Sequence, residues 1–346
     1  MNKLLTKMGL GEKMSKNFLA ILIVAFSGAI IYGLPYFRFD YYDVYLETYH
    51  LTNVQMGVFG SVLGVFGMIS YLFGGIVADR FSTRAILTVS LLGTGIGGLV
   101  HLLPLNFPAL VCLYAFWGVS SLFAFWPACV KAVRILSGSG DQGKAFGFFE
   151  GGRGVAAALM AMAAVVAFRI GAGQMEDQAQ GMKYVIVFYS VLTILMGVLS
   201  FLTVKDDKIE ESERISFQGI GEVLKLPAVW IIGFVTFCNY VFTLSLYYFT
   251  PYATGILGAS VTFTATLAAI KRWFSLFGNV GGGFITDKVG TGKMLLISFL
   301  AMAAGTLGIL LLPTHSGSIM AFTVLFIVIY IFYNVNYAMT WAMMDE

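Results

Sequence analysis

Charge is what this sequence has least of. Only 11% of its 346 residues are Asp, Glu, Lys or Arg, against 58% hydrophobic, and the mean hydropathy is +0.85. An ordinary soluble domain carries about 25% charged residues, so this chain cannot clothe a water-facing surface of the usual kind. Cysteine is scarce as well. Cys112, Cys129 and Cys238 are scattered through apolar sequence, which gives no disulfide framework and says nothing of the redox compartment. No zinc-ligand spacing and no phosphate-cradling glycine loop occurs, and His50, His101 and His315 lie far apart. These absences argue against an enzyme, and no cofactor, metal or nucleic acid is called for.

What the sequence has in abundance is long apolar runs. A hydrocarbon core of ~30 Å needs ~20 residues of helix, and runs of that length recur along the chain. They lie near Asn17 to Phe37, Val54 to Ala78, Thr83 to Leu103, Phe107 to Ile135, Lys144 to Phe168, Met182 to Val204, Pro227 to Gly255, Val261 to Ile285, Met294 to Leu312 and Ser318 to Trp341. An all-α protein whose solvent is the lipid bilayer is expected. The first run follows a basic segment and no small-residue cleavage site follows it, so it reads as a retained helix. Lys3, Lys7, Lys13, Lys16, Arg80, Arg84, Lys131, Arg134, Lys144, Lys205, Lys208, Arg214, Lys225, Lys288 and Lys293 fall in or beside loops of one side, whereas Arg169 and Lys183 fall on the other. The positive-inside rule then predicts a multi-pass cell-membrane protein with a cytoplasmic amino terminus.

Two short charged turns repeat. Gly75-Ile76-Val77-Ala78-Asp79-Arg80-Phe81-Ser82-Thr83-Arg84 joins the second and third spans, and Gly283-Phe284-Ile285-Thr286-Asp287-Lys288-Val289-Gly290-Thr291-Gly292-Lys293 joins the eighth and ninth. Recurrence of this kind implies two copies of a several-helix unit. The pattern G-x-x-x-D-[RK]-x-G-x-[RK] resembles the loop between helices two and three of the major facilitator superfamily, echoed there between helices eight and nine. Ser82 stands where that family prefers glycine, and Lys293 comes one position late. The resemblance implies the major facilitator fold, with two six-helix halves: 1–204, a cytoplasmic linker at 205–226, and 227–346. Four helices of the second half are present, so the last two are expected to be missing from the sequence given. It further implies that Asp79, Arg80, Arg84, Asp287 and Lys288 help hold the halves together when the cytoplasmic side is closed.

Charge inside spans is expensive and marks function. Tyr36 and Arg38 lie in the outer part of the first span, where Arg38 faces a water-filled cavity or snorkels to headgroups. Glu150 and Arg153 sit three apart in the fifth span, as a self-neutralised pair or as part of substrate or proton handling. Gly57, Gly60, Gly64, Gly67 and Gly74 read as packing glycines. Pro127 is placed to bend the fourth span. The seventh span carries Asn239, Tyr240, Thr243, Tyr247 and Tyr248; the eighth carries Lys271 and Arg272; the tenth sets Tyr330, Asn334, Tyr337 and Trp341 on one face.

Arg38, Arg153, Lys271 and Arg272 outweigh Glu150, and a cavity with surplus cations prefers an anion. Tyr36-Phe37-Arg38, Trp126-Pro127 and the glycine-rich start of the fifth span resemble the organophosphate and organic-anion branch, whose first-helix arginine contacts the anionic group. That branch's second arginine, on helix seven, has no counterpart near Thr243. The expected function is therefore a secondary active transporter, symporter or antiporter, that moves a small organic anion by alternating access. Its expected partners are a small anionic solute and a proton or counter-ion, with Glu150 the first carboxylate for proton coupling, and it is expected to be a monomer. The alternative is a transporter-like membrane sensor that binds an organic anion without moving it.

Overall fold

The computed structural model describes residues 11–137, 141–174, 177–205, 222, 224–271, 273–274 and 289–345, with only the backbone at 71–72, 143, 338 and 340–345. Among these residues every regular element is a helix, and nine are long and apolar enough to cross a membrane. The chain divides into two compact units. One comprises residues 1–38 and 44–215, the other residues 39–43 and 216–346.

The leading helix arrives in three pieces, α1 (Glu12–Ile30), α2 (Gly33–Asp40) and α3 (Tyr42–Thr48), of which residues 39–43 belong to the second unit and the rest to the first. The chain is thus helical past Arg38 as well as before it. Helix α4 (Asn53–Arg80) opens with a reciprocal cap: Gln55 N–H donates to Thr52 Oγ1 at 3.2 Å, and Thr52 N–H to Gln55 Oε1 at 2.9 Å. Such a box satisfies two amides that a helix start leaves open. Helix α5 (Thr83–His101) is capped by Ser82, whose Oγ accepts from Ala85 N–H at 3.0 Å. Serine at that position therefore has a local reason, since the second helix begins one residue later. The preceding helix end is closed from a distance: Lys131 Nζ donates to the Ala78 carbonyl at 2.6 Å, one of the carbonyls that a helix end leaves without an amide.

The fourth predicted span bends, but upstream of its proline. Helix α6 (Phe107–Trp117) runs into a π-helical turn (Gly118–Leu122), and α7 (Phe125–Ser137) starts anew. Pro127 lies in the first turn of α7, where a missing N–H costs little. Its absent amide leaves the Phe123 carbonyl without the usual helical donor. That oxygen lies against Gly74 of α4, so closely that any Cβ there would collide with it. Gly74 is a packing glycine in the strict sense. At Gly57 and Gly64 no described atom lies within 4 Å of a Cβ.

Helices α8 (Gln142–Ala172) and α9 (Gln178–Thr203) complete this unit, with α9 packed on α5, α8 and α1, and α1 on α7 and α8. Asp141, just before α8, accepts from Gly11 N–H at 2.7 Å and from Lys144 Nζ at 3.1 Å. Hydrogen bonds from Lys144 first and from the Gly11 amide second hold its carboxyl below the ordinary range.

The second unit contains α10 (Pro227–Leu246), α11 (Phe249–Gly255), α12 (Val261–Lys271), α13 (Thr291–Leu310) and α14 (Ile319–Asp345). Its core joins Leu246, Ala253, Met302, Phe322, Phe326 and Ile329. Arg272, Asp287, Lys288 and nearly all of the 205–226 linker lie outside the described residues, as does the Trp341 side chain.

Candidate functional site

Among the described residues, the charged side chains that are buried are Arg38, Asp40 and Lys271. Arg38 is fully buried, so in this structure it neither snorkels to headgroups nor faces a water-filled cavity. Its Nη1 donates to the Pro35 carbonyl one turn back, and its guanidinium carbon lies 4.7 Å from the centroid of the Tyr114 ring. A phenol face attracts a guanidinium through its quadrupole. Phe59 stacks on the same ring at 4.4 Å and 10°, so the cation takes the opposite face. Tyr36, two residues before Arg38, is half-buried and meets Tyr32 edge to face at 6.3 Å.

Behind Tyr114 stands a group of side chains brought together from three helices, α3, α5 and α6. Tyr114 Oη donates to Tyr45 Oη at 3.2 Å, Tyr45 Oη lies 2.6 Å from His101 Nε2, and Tyr49 Oη lies 2.9 Å from His101 Nδ1. Trp117 stacks on the imidazole at 5.7 Å and 12° and donates its indole N–H to the Thr94 carbonyl at 3.1 Å. Sequence reasoning missed this network because its three hydrogen bonds join residues 52 to 69 positions apart. The local signal available was Tyr45 and Tyr49, one turn apart on α3.

Glu150 and Arg153 of α8 pair with each other: Arg153 Nε and Nη2 approach Glu150 Oε2 at 3.2 and 2.9 Å. The Arg153 guanidinium also lies 4.7 Å from the Trp126 ring. Of the two expectations for this pair, self-neutralisation is what the geometry shows. Both side chains keep substantial exposure inside a span, where charge normally faces water.

In the second unit Lys271 of α12 holds its ammonium 5.7 Å from the Phe326 ring and 5.8 Å from the Tyr330 ring. These rings belong to a ladder on α14. Tyr330 and Tyr333 are 5.9 Å apart, and Tyr333 and Tyr337 6.1 Å. Tyr333 Oη shares a hydrogen bond of 2.7 Å with Thr243 Oγ1, which donates to the Asn239 carbonyl at 2.8 Å. Asn334 is buried and donates to the Tyr330 carbonyl at 2.7 Å. Lys271, Asn239, Asn334 and Tyr337 therefore belong to one connected wall, in which Tyr333 is the member the sequence did not reveal. Tyr247 stands apart from it, stacked on Phe39 at 4.0 Å and 12°. Nearby, Thr254 Oγ1 donates to Asp43 Oδ2. Burial pushes the Asp43 carboxyl above its ordinary range, and that hydrogen bond opposes the shift.

The turn residues are placed individually. Asp79 is half-buried, Arg80 is exposed, and Arg84 lies 5.3 Å from the Phe201 ring. Among the described residues no group of three His, Cys, Asp or Glu could hold a metal ion.

Comparison with known proteins places this architecture. The model of the Major Facilitator Superfamily matches residues 13–346. Inner membrane protein YihN of Escherichia coli (strain K12) is 28% identical over 312 residues, covering 87% of this chain and 73% of that protein. Inner membrane protein YqcE of the same organism is 27% identical over 275 residues, covering 77% of this chain and 64% of that protein. Among solved structures, a bacterial homologue of the human lysosomal transporter Spinster, inward-facing and unoccupied, superposes with a TM-score of 0.75 at 17% identity. It covers 96% of this chain and 75% of that one. A mutant of the nucleoside transporter NupG gives 0.74 at 12% identity, with 94% and 81% covered.

Proposed function

Because this chain belongs to the Major Facilitator Superfamily, we propose that it is a secondary active transporter that carries a small organic anion by alternating access. The fold alone does not choose a cargo. Structures of similar fold are described for a nucleoside transporter and for a D-xylose–proton symporter, so the cargo must be argued from side chains. The observation that carries the anion reading is the buried charge: two cations, Arg38 and Lys271, against one acid, Asp40, among the described residues. A guanidinium presents a planar fork to carboxylate, phosphate or sulfonate, and an ammonium adds a point charge.

Arg38 is the primary anion contact in this reading, with Tyr36 beside it. Lys271, Asn239, Asn334 and Tyr337 supply the wall of the second unit. Arg153 is withdrawn from direct anion binding by Glu150, which leaves that pair as the candidate for coupling to a proton or counter-ion. The branch resemblance of Tyr36-Phe37-Arg38 supports the same assignment. Tyr247 and Arg272 keep their proposed places as substrate contacts, and Asp79, Arg80, Arg84, Asp287 and Lys288 theirs as gating residues. The amino terminus is placed in the cytoplasm by the distribution of basic residues.

The test is a thermal-shift panel of sugar phosphates, uronates, sulfonates and dicarboxylates on the purified chain, followed by flux of any hit into proteoliposomes. Arg38→Ala should weaken binding of the hit by about 10- to 150-fold, the range of a hydrogen bond to a charged group. Wild-type affinity in that variant would remove Arg38 from the site. Binding without flux would make the protein a sensor.

A further inference from the structure

The His101 network has no part in the transport reading so far, yet its hydrogens can be assigned by following the donors. Tyr114 Oη donates to Tyr45 Oη, which leaves the Tyr45 hydrogen available for His101 Nε2, 2.6 Å away. Nε2 is then an acceptor. A neutral imidazole with that acceptor carries its hydrogen on Nδ1, which donates to Tyr49 Oη at 2.9 Å. Four groups form one chain with a single direction, from Tyr114 to Tyr49.

An imidazolium would break that direction. With donors on both nitrogens, it would force the Tyr45 hydroxyl to turn away from Nε2 while Tyr114 still pointed a hydrogen at the same oxygen. The groups facing the ring are the phenols Tyr45 and Tyr49 of α3 and the rings of Phe37 and Trp117. Beyond them stand the Tyr114 phenol of α6 and, on its ring, the Arg38 guanidinium. Among the described residues no carboxylate forms a hydrogen bond or ion pair with the imidazole, and a second buried cation so near the first would be costly.

We propose that His101 is a positioning residue: neutral and fixed as the Nδ1–H tautomer, it anchors Tyr45 and through it Tyr114, the ring on which Arg38 rests. With one face of Tyr114 covered by Phe59 and its hydroxyl tied, the ring cannot turn. The guanidinium is thereby held in one orientation for an oxyanion. The inference rests on Arg38 being the anion contact.

The experiment uses the full chain in detergent, labelled with ¹⁵N-histidine; only three histidines are present, and His101→Gln identifies the relevant signal. The expected result is an imidazole that stays neutral and protonated on Nδ1 from about pH 5 to 8, across the ordinary histidine range. Titration in that window, or a hydrogen on Nε2, overturns the assignment. Binding is then read with glucuronate and glycerol 3-phosphate. Tyr45→Phe cuts the link to Tyr114 and should raise the Kd of the tighter probe about 3- to 10-fold, the worth of one neutral hydrogen bond. Tyr49→Phe removes a similar hydroxyl at the far end of the chain and should change the Kd less than about 2-fold. His101→Gln, which keeps a donor and an acceptor, should bind better than His101→Leu. Equal effects of the two tyrosine variants overturn the positioning role while leaving the anion contact intact. Unchanged binding in Arg38→Ala, or no binding of either probe by the wild type, sinks both readings together.

Discussion

Replacing Arg38 with methionine keeps most of its length and removes its charge, which separates a cation kept for a ligand from one kept for the fold. The guanidinium contributes a desolvated cation–π contact with Tyr114, about 2 kcal/mol, and a charge-assisted hydrogen bond to the Pro35 carbonyl, about 1.5–3 kcal/mol. Against these stands the loss of hydration on full burial, several kcal/mol even after relaxation. The opposing contributions nearly cancel, and methionine adds apolar contact with Tyr114. Arg38→Met should therefore unfold within a few degrees of the wild type, since about 1 kcal/mol moves the midpoint by roughly 2–4 °C. Scanning fluorimetry in detergent, with and without the anion found in the panel, measures both quantities at once. The wild type should gain an anion-dependent rise that the variant lacks. A variant destabilised by more than about 4 kcal/mol, or one that keeps the rise, would show that the guanidinium serves to hold α2 against α6.

Three further outcomes follow from the geometry. Thr254→Val removes the hydroxyl that donates to Asp43, whose folded-state pKa is raised by burial; stability tied to a raised carboxyl is present below its ordinary pKa and lost as pH rises through the folded value. The variant's deficit in unfolding midpoint should thus grow from about pH 4 to pH 7, by roughly 1 kcal/mol, and a deficit independent of pH would refute the bond. Lys131→Met removes the donor to the Ala78 carbonyl and should cost about 1–2 kcal/mol, with hydrogen exchange rising around residues 77–84; unchanged exchange there would show that the cap is dispensable. Gly74→Ala meets the Phe123 carbonyl and should cost about 1–3 kcal/mol, whereas Gly93→Ala, with only ordinary contacts at 3.5 and 3.6 Å, should be neutral or gain up to about 1 kcal/mol of helix propensity. Circular dichroism melts of the two variants distinguish these results.

Elements set by local chemistry could be read from the sequence. The spans expected at Thr83–Leu103 and Pro227–Gly255 correspond to the helix at Thr83–His101 and the span at Pro227–Gly255, because apolar length and end signals are written in consecutive residues. The charged turn at Asp79 was equally visible as a helix boundary. Tertiary partners were not. Whether Arg38 points to headgroups or lies enclosed depends on Tyr114, far along the chain, and the His101 network depends on partners that no periodicity reveals. The bend of the fourth span was expected at Pro127 because proline is the strongest breaker known from composition. The helix breaks at Phe123 and Ala124, in the turn that Pro127 deprives of a donor, whereas the π-helical turn just before it had no signal in the sequence.

The turn at Gly118–Leu122 has an effect beyond the bend. A π-helical turn inserts one extra residue into the spiral, and one residue is a rotation of ~100°. A helical wheel drawn unbroken from Phe107 to Ser137 would be out of phase after Leu122, turning Trp126, Lys131 and Arg134 roughly a quarter turn from their true positions. Deleting one residue within Gly118–Leu122 should bring the lower segment back into phase, swinging Lys131 away from the Ala78 carbonyl and Trp126 away from Arg153.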